Sequence, residues 1–209
     1  MAKNPGERLR RLAQKTARRK AVVAEKRKEA LKVSPDLARR VQVASLCPIK
    51  LCVIDDNLFE SGIGHLVFAR SLPSGLVGAA FFLLDPFCLG VKNLFYKEVE
   101  AQKLTESLAF LSGEEHFVDF EPACARKLIN EAASYAADLG FTSPKELSII
   151  EPIFGNTNIQ ECTEAFTFGK DGKPFYIAGP NDTPARIRNI IHTLEQKVGM
   201  GRFDFIIPA

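Results

Sequence analysis

Residues 76–96 read LVGAAFFLLDPFCLGVKNLFY, and this stretch decides the fold. From Val77 to Leu84 it is apolar without a break apart from Gly78. The run is too short for a bilayer, which takes about 20 apolar residues in a helix. It fits a strand covered on both faces, because a strand with one wet face alternates apolar and polar side chains. Asp85-Pro86 then stops the strand, since proline has no N–H to give a ladder. Past the stop, Cys88 and Lys92 join Asp85 in setting a thiol, an amine and a carboxylate at one strand end in apolar surroundings. A cysteine nucleophile needs a base, so Cys88 with Asp85 beside it and His65 or His116 as base is the candidate catalytic set. A cysteine between Phe87 and Leu89 is most often just a small buried side chain.

Towards the N-terminus, His65–Ser71 reads as a partner strand joined through Leu72-Pro73-Ser74-Gly75, a good hairpin loop. Leu66, Phe68 and Arg70 fall on one face and Val67 and Ala69 on the other. Ile49–Ile54 is a further β-rich segment ended by the turn Asp55-Asp56-Asn57, whose paired carboxylates are the usual material of turns and caps. Gly62 and Gly64 match neither phosphate-loop spacing. Ser34-Pro35 opens a short helix as cap and first residue.

Towards the C-terminus, a helix is expected from Val99 to Leu111, and Phe117–Phe120 is a short β-like link. Glu121-Pro122 opens the clearest helix, with Cys124, Leu128, Ala132, Tyr135 and Leu139 on one face and Gly140 as its left-handed cap. Ser143-Pro144-Lys145-Glu146 is a capping box that starts another helix ending near Pro152. Asp171-Gly172 is a strong turn signal and predicts a second hairpin, Ala165–Phe168 with Pro174–Ala178. Pro184 starts a helix striped by Ile187, Ile190, Ile191, Leu194 and Val198, and Phe203–Ile207 is a last strand. This order predicts an α+β domain over 45–209: an antiparallel or mixed sheet with two hairpins packed by several helices, and a basic N-terminal helix in an arm over 1–44.

The net charge of +3 conceals that arm. Met1–Arg40 holds 14 Lys and Arg against 4 acidic residues, a net of +10, and the remainder holds 14 against 21, a net of −7. Residues 5–32 favour helix, yet their apolar stripe is thin and mostly alanine, so the segment is marginal alone and suited to ordering on a partner. Arg8, Arg10, Arg11, Lys15, Arg18, Arg19, Lys20, Lys26, Arg27 and Lys28 surround it on nearly every side. That suits phosphate-lined RNA or the ribosome, where each neutralised phosphate releases counterions. With no aromatic side chain to stack on bases, the arm positions rather than specifies. A solvated tail and an arm that folds on an acidic protein are the competing readings; membrane insertion is not expected, because the apolar face lacks Phe and Trp.

Five cysteines, an odd count with no CxxC pair, fit reduced thiols in a cytoplasmic protein better than a disulfide framework. A zinc site from Cys47, Cys52, Cys162 and one His can be drawn, but its spacing matches no standard finger or ribbon, so neither metal nor cofactor is expected. Lys170, Lys173 and Arg186, with Tyr176, Asn181, Asp182 and Arg188, form a candidate anion-binding set around a helix start, a reading that Asp182 opposes unless it caps the helix and points away.

The segments DPFCLGVKNLFY, EPACARKLINEAASYAADLGF and FTFGKDGKPFYIAGPNDTPAR resemble, in this order, a family of bacterial proteins of unknown function. The resemblance spans Ser45–Ala209 and implies no activity and no catalytic residue. Members of that family carry a Lys/Arg-rich arm or a small zinc-binding SEC-C motif beside the shared domain; this chain has the arm and no CxCxxGxxxxxxCC-like segment. Three functions are thus in view: a non-enzymatic RNA or ribosome binder, a small hydrolase or transferase using Cys88, and a protein-interaction adaptor.

Overall fold

The computed structural model describes residues 36–111, 116–180 and 182–207. The basic residues from Arg8 to Lys28 lie outside the described residues. The chain divides into two compact units, Met1–Arg40 and Val41–Ala209. Of the first, residues 36–40 are described; they belong to a helical stretch, α1 (36–45), and Arg39 Nη2 donates to Asp36 Oδ1 at 2.9 Å on the surface. Among the described residues no helix is long and apolar enough to cross a membrane.

The second unit is an α+β fold on a five-stranded antiparallel sheet of order β4-β3-β2-β1-β5. β1 (Ile49–Asp55), β2 (Gly64–Ser71), β3 (Val77–Asp85) and β4 (Gly90–Val99) pair in succession, and β5 (Phe117–Asp119) joins the free side of β1. The apolar run of β3 is covered on both faces, as its lack of alternation requires. On one face Val67, Ala69, Val77, Ala79 and Phe81 are buried with Leu104 of α3 (Ala101–Leu111). On the other, Phe68 and Phe82 meet Phe154 at ring separations of 4.6 and 5.8 Å. Burying one such side chain stabilises the fold by about 1.5–3 kcal/mol, so a strand buried twice over anchors the unit.

α4 (Pro122–Asp138) packs on β4 so closely that Gly90 has no room for a side chain. At φ +63° a Cβ there would sit 2.3 Å from the Ala132 carbonyl oxygen. α2 (Leu58–Ser61) and α5 (Leu147–Ile150) are single turns, and Glu151–Phe154 continues α5 as a 3-10 turn. α6 (Pro184–Val198) is capped by Thr183, whose Oγ1 accepts the Arg186 N–H at 3.2 Å.

Arg70 stands on the same face of β2 as Phe68 and is 7% exposed. Its guanidinium donates to the carbonyls of Ile153 at 2.8 Å, Cys47 at 2.6 Å and Phe154 at 2.6 Å, and lies 5.2 Å over the Phe68 ring. Burial pulls its pKa down. One side chain thereby ties the segment after α1 and the 3-10 turn to the sheet, using a planar donor fork that no other residue has.

Three expectations are corrected. The sequence reading gave no strand between Asp85 and Val99, where β4 runs; its alternation is hidden by a bulge that shifts register between Leu83 and Leu84. The second hairpin keeps its Asp171-Gly172 turn, closed by reciprocal Lys170 and Lys173 backbone bonds of 2.8 and 3.0 Å, but Ala165–Phe168 forms no strand. Instead Gly169 and Phe175 donate to the carbonyls of Pro86 and Phe87, each at 3.0 Å, and β6 (Phe175–Ile177) pairs in parallel with β7 (Asp204–Ile206). Finally, Cys124 and Cys162 are not free thiols: they form a disulfide that closes a 38-residue separation and packs with Phe120 and Phe166. A pair so far apart in sequence leaves no motif, and in the chain-entropy view such a link stabilises by about 4 kcal/mol.

Replacing Arg70 by methionine removes donors from three carbonyls at once. Each acceptor left unsatisfied costs about 1–3 kcal/mol, so Arg70→Met is expected to lose at least about 3 kcal/mol in a urea titration, and a loss under about 1 kcal/mol would show that the clasp is dispensable.

Candidate functional site

The end of β3 forms as a buried knot. Asp85 Oδ1 accepts the Cys88 N–H at 2.9 Å, and Tyr135 donates its hydroxyl to the Phe87 carbonyl at 3.3 Å. Asp85 is 3% exposed and Cys88 fully buried among Leu89, Leu139, Tyr176 and Leu194. Burial raises the Asp85 pKa to about 6, against the pull of Lys92 and of the Cys88, Leu89 and Phe87 amides. Burial, and then the Asp85 carboxylate, push the Cys88 thiol well above the ordinary thiol range. A nucleophilic cysteine has the opposite character, exposed and lowered by a cation or an imidazolium.

The two candidate bases stand elsewhere. His65 lies in β2 opposite Leu83 and lines a cavity of about 530 Å³ with Phe81, Phe95, Lys97 and Phe110 on the α3 side of the sheet. His116 precedes β5 at the far edge of the sheet, exposed, with Nδ1 2.9 Å from Asp56 Oδ2. Cys88 adjoins the β3–β4 edge. The structure thus brings Cys88 and Asp85 together and places His65 and His116 in other surroundings. Asp55 and Asp56 act in turns: Asp55 accepts the Asn57 N–H at 3.2 Å, and Asp56 takes the Asn57 amide at 2.8 Å as well as His116.

The anion-binding set is rearranged rather than assembled. Lys170 lies on its turn with Nζ 4.9 Å over the Phe175 ring, Lys173 is exposed on the same turn, and Asn181 lies outside the described residues. Arg186 instead shares a cavity of about 440 Å³ with Lys92 and Lys145, beside the hydroxyl residues Thr142 and Ser143. Behind this cavity Asp182, its side chain 5% exposed, holds two of the cations: Arg186 Nε at 3.0 Å on Oδ1 and Lys92 Nζ at 3.7 Å from Oδ2. Oδ2 also accepts the Gly179 N–H at 2.9 Å and the Tyr176 hydroxyl at 3.0 Å. Burial works against the carboxylate, but the Gly179 amide, Tyr176, Lys92 and Arg186 outweigh it and hold Asp182 below the ordinary range. Tyr176 is pushed up by burial and by the same bond.

Sequence reasoning missed Lys92 and Lys145 as members of this site. In the sequence Lys145 reads only as part of a capping box. The signal for Lys92 was the broken alternation of VKN: Leu83 pairs with Asn93 and Leu84 with Val91, so Lys92 is the extra residue of the β4 bulge. A bulge turns one side chain out of the ladder, and bulges gather beside functional sites.

Among the described residues no group of three or more His, Cys, Asp and Glu side chains stands together to hold a metal, and Cys162 of the drawn zinc set is in the disulfide. Comparison of the chain with protein-family models, curated proteins and solved structures finds no match.

The raised pKa of Asp85 has a signed consequence. An unfolded aspartate titrates near 3.8 and the folded one near 6, so the native state holds the extra proton between these values. Its contribution is full below pH 4 and is lost as pH rises to about 6, a change of about 3 kcal/mol at 1.36 kcal/mol per unit. Urea titrations of wild type and Asp85→Asn, whose amide keeps an acceptor for the Cys88 N–H, should show the variant gaining by about that amount between pH 3.5 and 7; a constant difference would contradict the buried-acid account.

Proposed function

We propose that the protein is a non-enzymatic, RNA-associated protein of the cytoplasm that contacts RNA or the ribosome through its basic N-terminal arm. The observation that carries this reading is the charge division along the chain, +10 over Met1–Arg40 against −7 over the rest. An arm of that charge seeks a polyanion, and a body of opposite sign keeps the attraction local to the arm. Ten Lys and Arg residues between Arg8 and Lys28, without one aromatic, match contact with phosphates rather than with bases. The geometry of the body also weighs against the cysteine-dependent alternative, since Cys88 is fully buried and neither candidate histidine shares its surroundings. The Cys124–Cys162 disulfide removes the cysteine count as support for a reducing compartment, so the cytoplasmic assignment follows from the RNA reading alone.

A salt series of binding to total cellular RNA and to duplex DNA, comparing the full chain with one that begins at Val33, tests the proposal. If five arm residues neutralise phosphates of single-stranded RNA, log affinity should fall against log salt with a slope of about −3.5, and the shortened chain should lose the binding. Equal binding by both chains would move the site to the body. No binding by either at low salt would overturn the proposal and favour the adaptor reading, in which the arm folds on an acidic protein.

A further inference from the structure

The Lys92–Lys145–Arg186 cavity has a charge pattern that packing does not require. Taking an ammonium and a carboxylate out of water costs several kcal/mol each before their attraction is counted, and an apolar pair of similar size is often as stable. Yet Lys92, its side chain 12% exposed, lines this cavity and stands 3.7 Å from Asp182, whose side chain is 5% exposed. Buried, paired charges beside a concave site mark a candidate binding site.

Three features give the cavity a polarity. Lys92 enters it as the extra residue of the β4 bulge, which takes the side chain out of the alternation of the strand. Asp182 lies behind rather than in the lining, and it takes Arg186 through Nε, while a guanidinium carries four further N–H donors in a fixed fork. The described lining contains Lys92, Lys145 and Arg186 and no carboxylate, so with Asp182 counted the surroundings hold three cations against one anion. Thr142 and Ser143 add hydroxyl donors at the same wall, and Leu89, Phe141 and Ile190 give it an apolar side.

We propose that this cavity binds a small phosphomonoester of about mononucleotide size, its phosphate held by Lys92, Lys145 and Arg186 and its organic body lying against Leu89, Phe141 and Ile190. A tetrahedral dianion uses both the point charge of a lysine and the fork of an arginine. A volume of about 440 Å³ exceeds what inorganic phosphate fills and lies within the range of small-ligand pockets. Asp182 is a positioning residue: it orients two of the cations and does not itself line the cavity. The residues named for this site all belong to the second unit, Val41–Ala209.

The test is calorimetric titration of the full chain at fixed ionic strength with AMP, inorganic phosphate and adenosine. Both phosphates should bind, AMP the tighter, and adenosine should not. Lys145→Ala/Arg186→Ala alters two exposed side chains and keeps the arm, and it should weaken AMP by more than tenfold, since it removes two charge-assisted contacts to the phosphate. Lys92→Gln should weaken it likewise; if that variant fails to fold, the double variant still decides. AMP binding unchanged in the double variant, adenosine binding as well as AMP, or no binding of either phosphate at millimolar concentration would each overturn the proposal.

Discussion

The constraint on which the rest of this structure depends is that β3 has no polar face. A strand reading VGAAFFLL must be covered from both sides, and a single sheet can meet that demand only with helices or turns on each of its faces. α3 supplies one cover, through Leu104, and the 3-10 turn with Phe154 supplies the other. The neighbouring strands follow from the same demand, because β2 and β4 must satisfy the backbone groups of a strand that has no access to water. Asp85-Pro86 ends the run, and the chain leaves the sheet in a loop whose carbonyls are taken by Gly169, Phe175 and Tyr135. The C-terminal third of the chain is thus fastened to the end of the core strand.

Buried charge is handled in three different ways around this core. Arg70 keeps its charge and spends it on backbone carbonyls, so that two irregular segments acquire fixed positions against the sheet. Asp85 yields to burial and titrates near 6. Asp182 resists burial because four partners favour its anion. The first two account for themselves as architecture: a clasp, and a turn whose amides need an acceptor. The third has two cations among its partners, and both also line a cavity, which is why Asp182 and Lys92 read as a site.

Much of this was legible in the sequence, for physical reasons. The hairpin of β2 and β3 follows from two β-rich runs around Leu72-Pro73-Ser74-Gly75, and α4 and α6 from apolar stripes of period 3.6 with proline at the first position. The turn at Asp171-Gly172 was legible too, because it is local. The parallel pairing of Phe175–Ile177 with Asp204–Ile206 was not, since its partner lies about thirty residues on and parallel pairing leaves no turn between the strands. β4 escaped because the bulge at Lys92 breaks its alternation, so the residue that disguised the strand is the one the cavity uses. Cys88 showed the limit of composition: a thiol, an amine and a carboxylate near one strand end look like chemistry until burial is known, and burial makes the thiol inert. Cys124 and Cys162 carried no signal at all at their separation.

The body and the arm differ in character, one defined by packing and a cationic cavity, the other by charge alone. The measurement that tests the central functional claim most directly is mass-spectrometric mapping of RNA–protein crosslinks formed on the full chain in cells. The account predicts crosslinked peptides from within residues 8–28. Crosslinks confined to residues 41–209, or none on the chain, would contradict it.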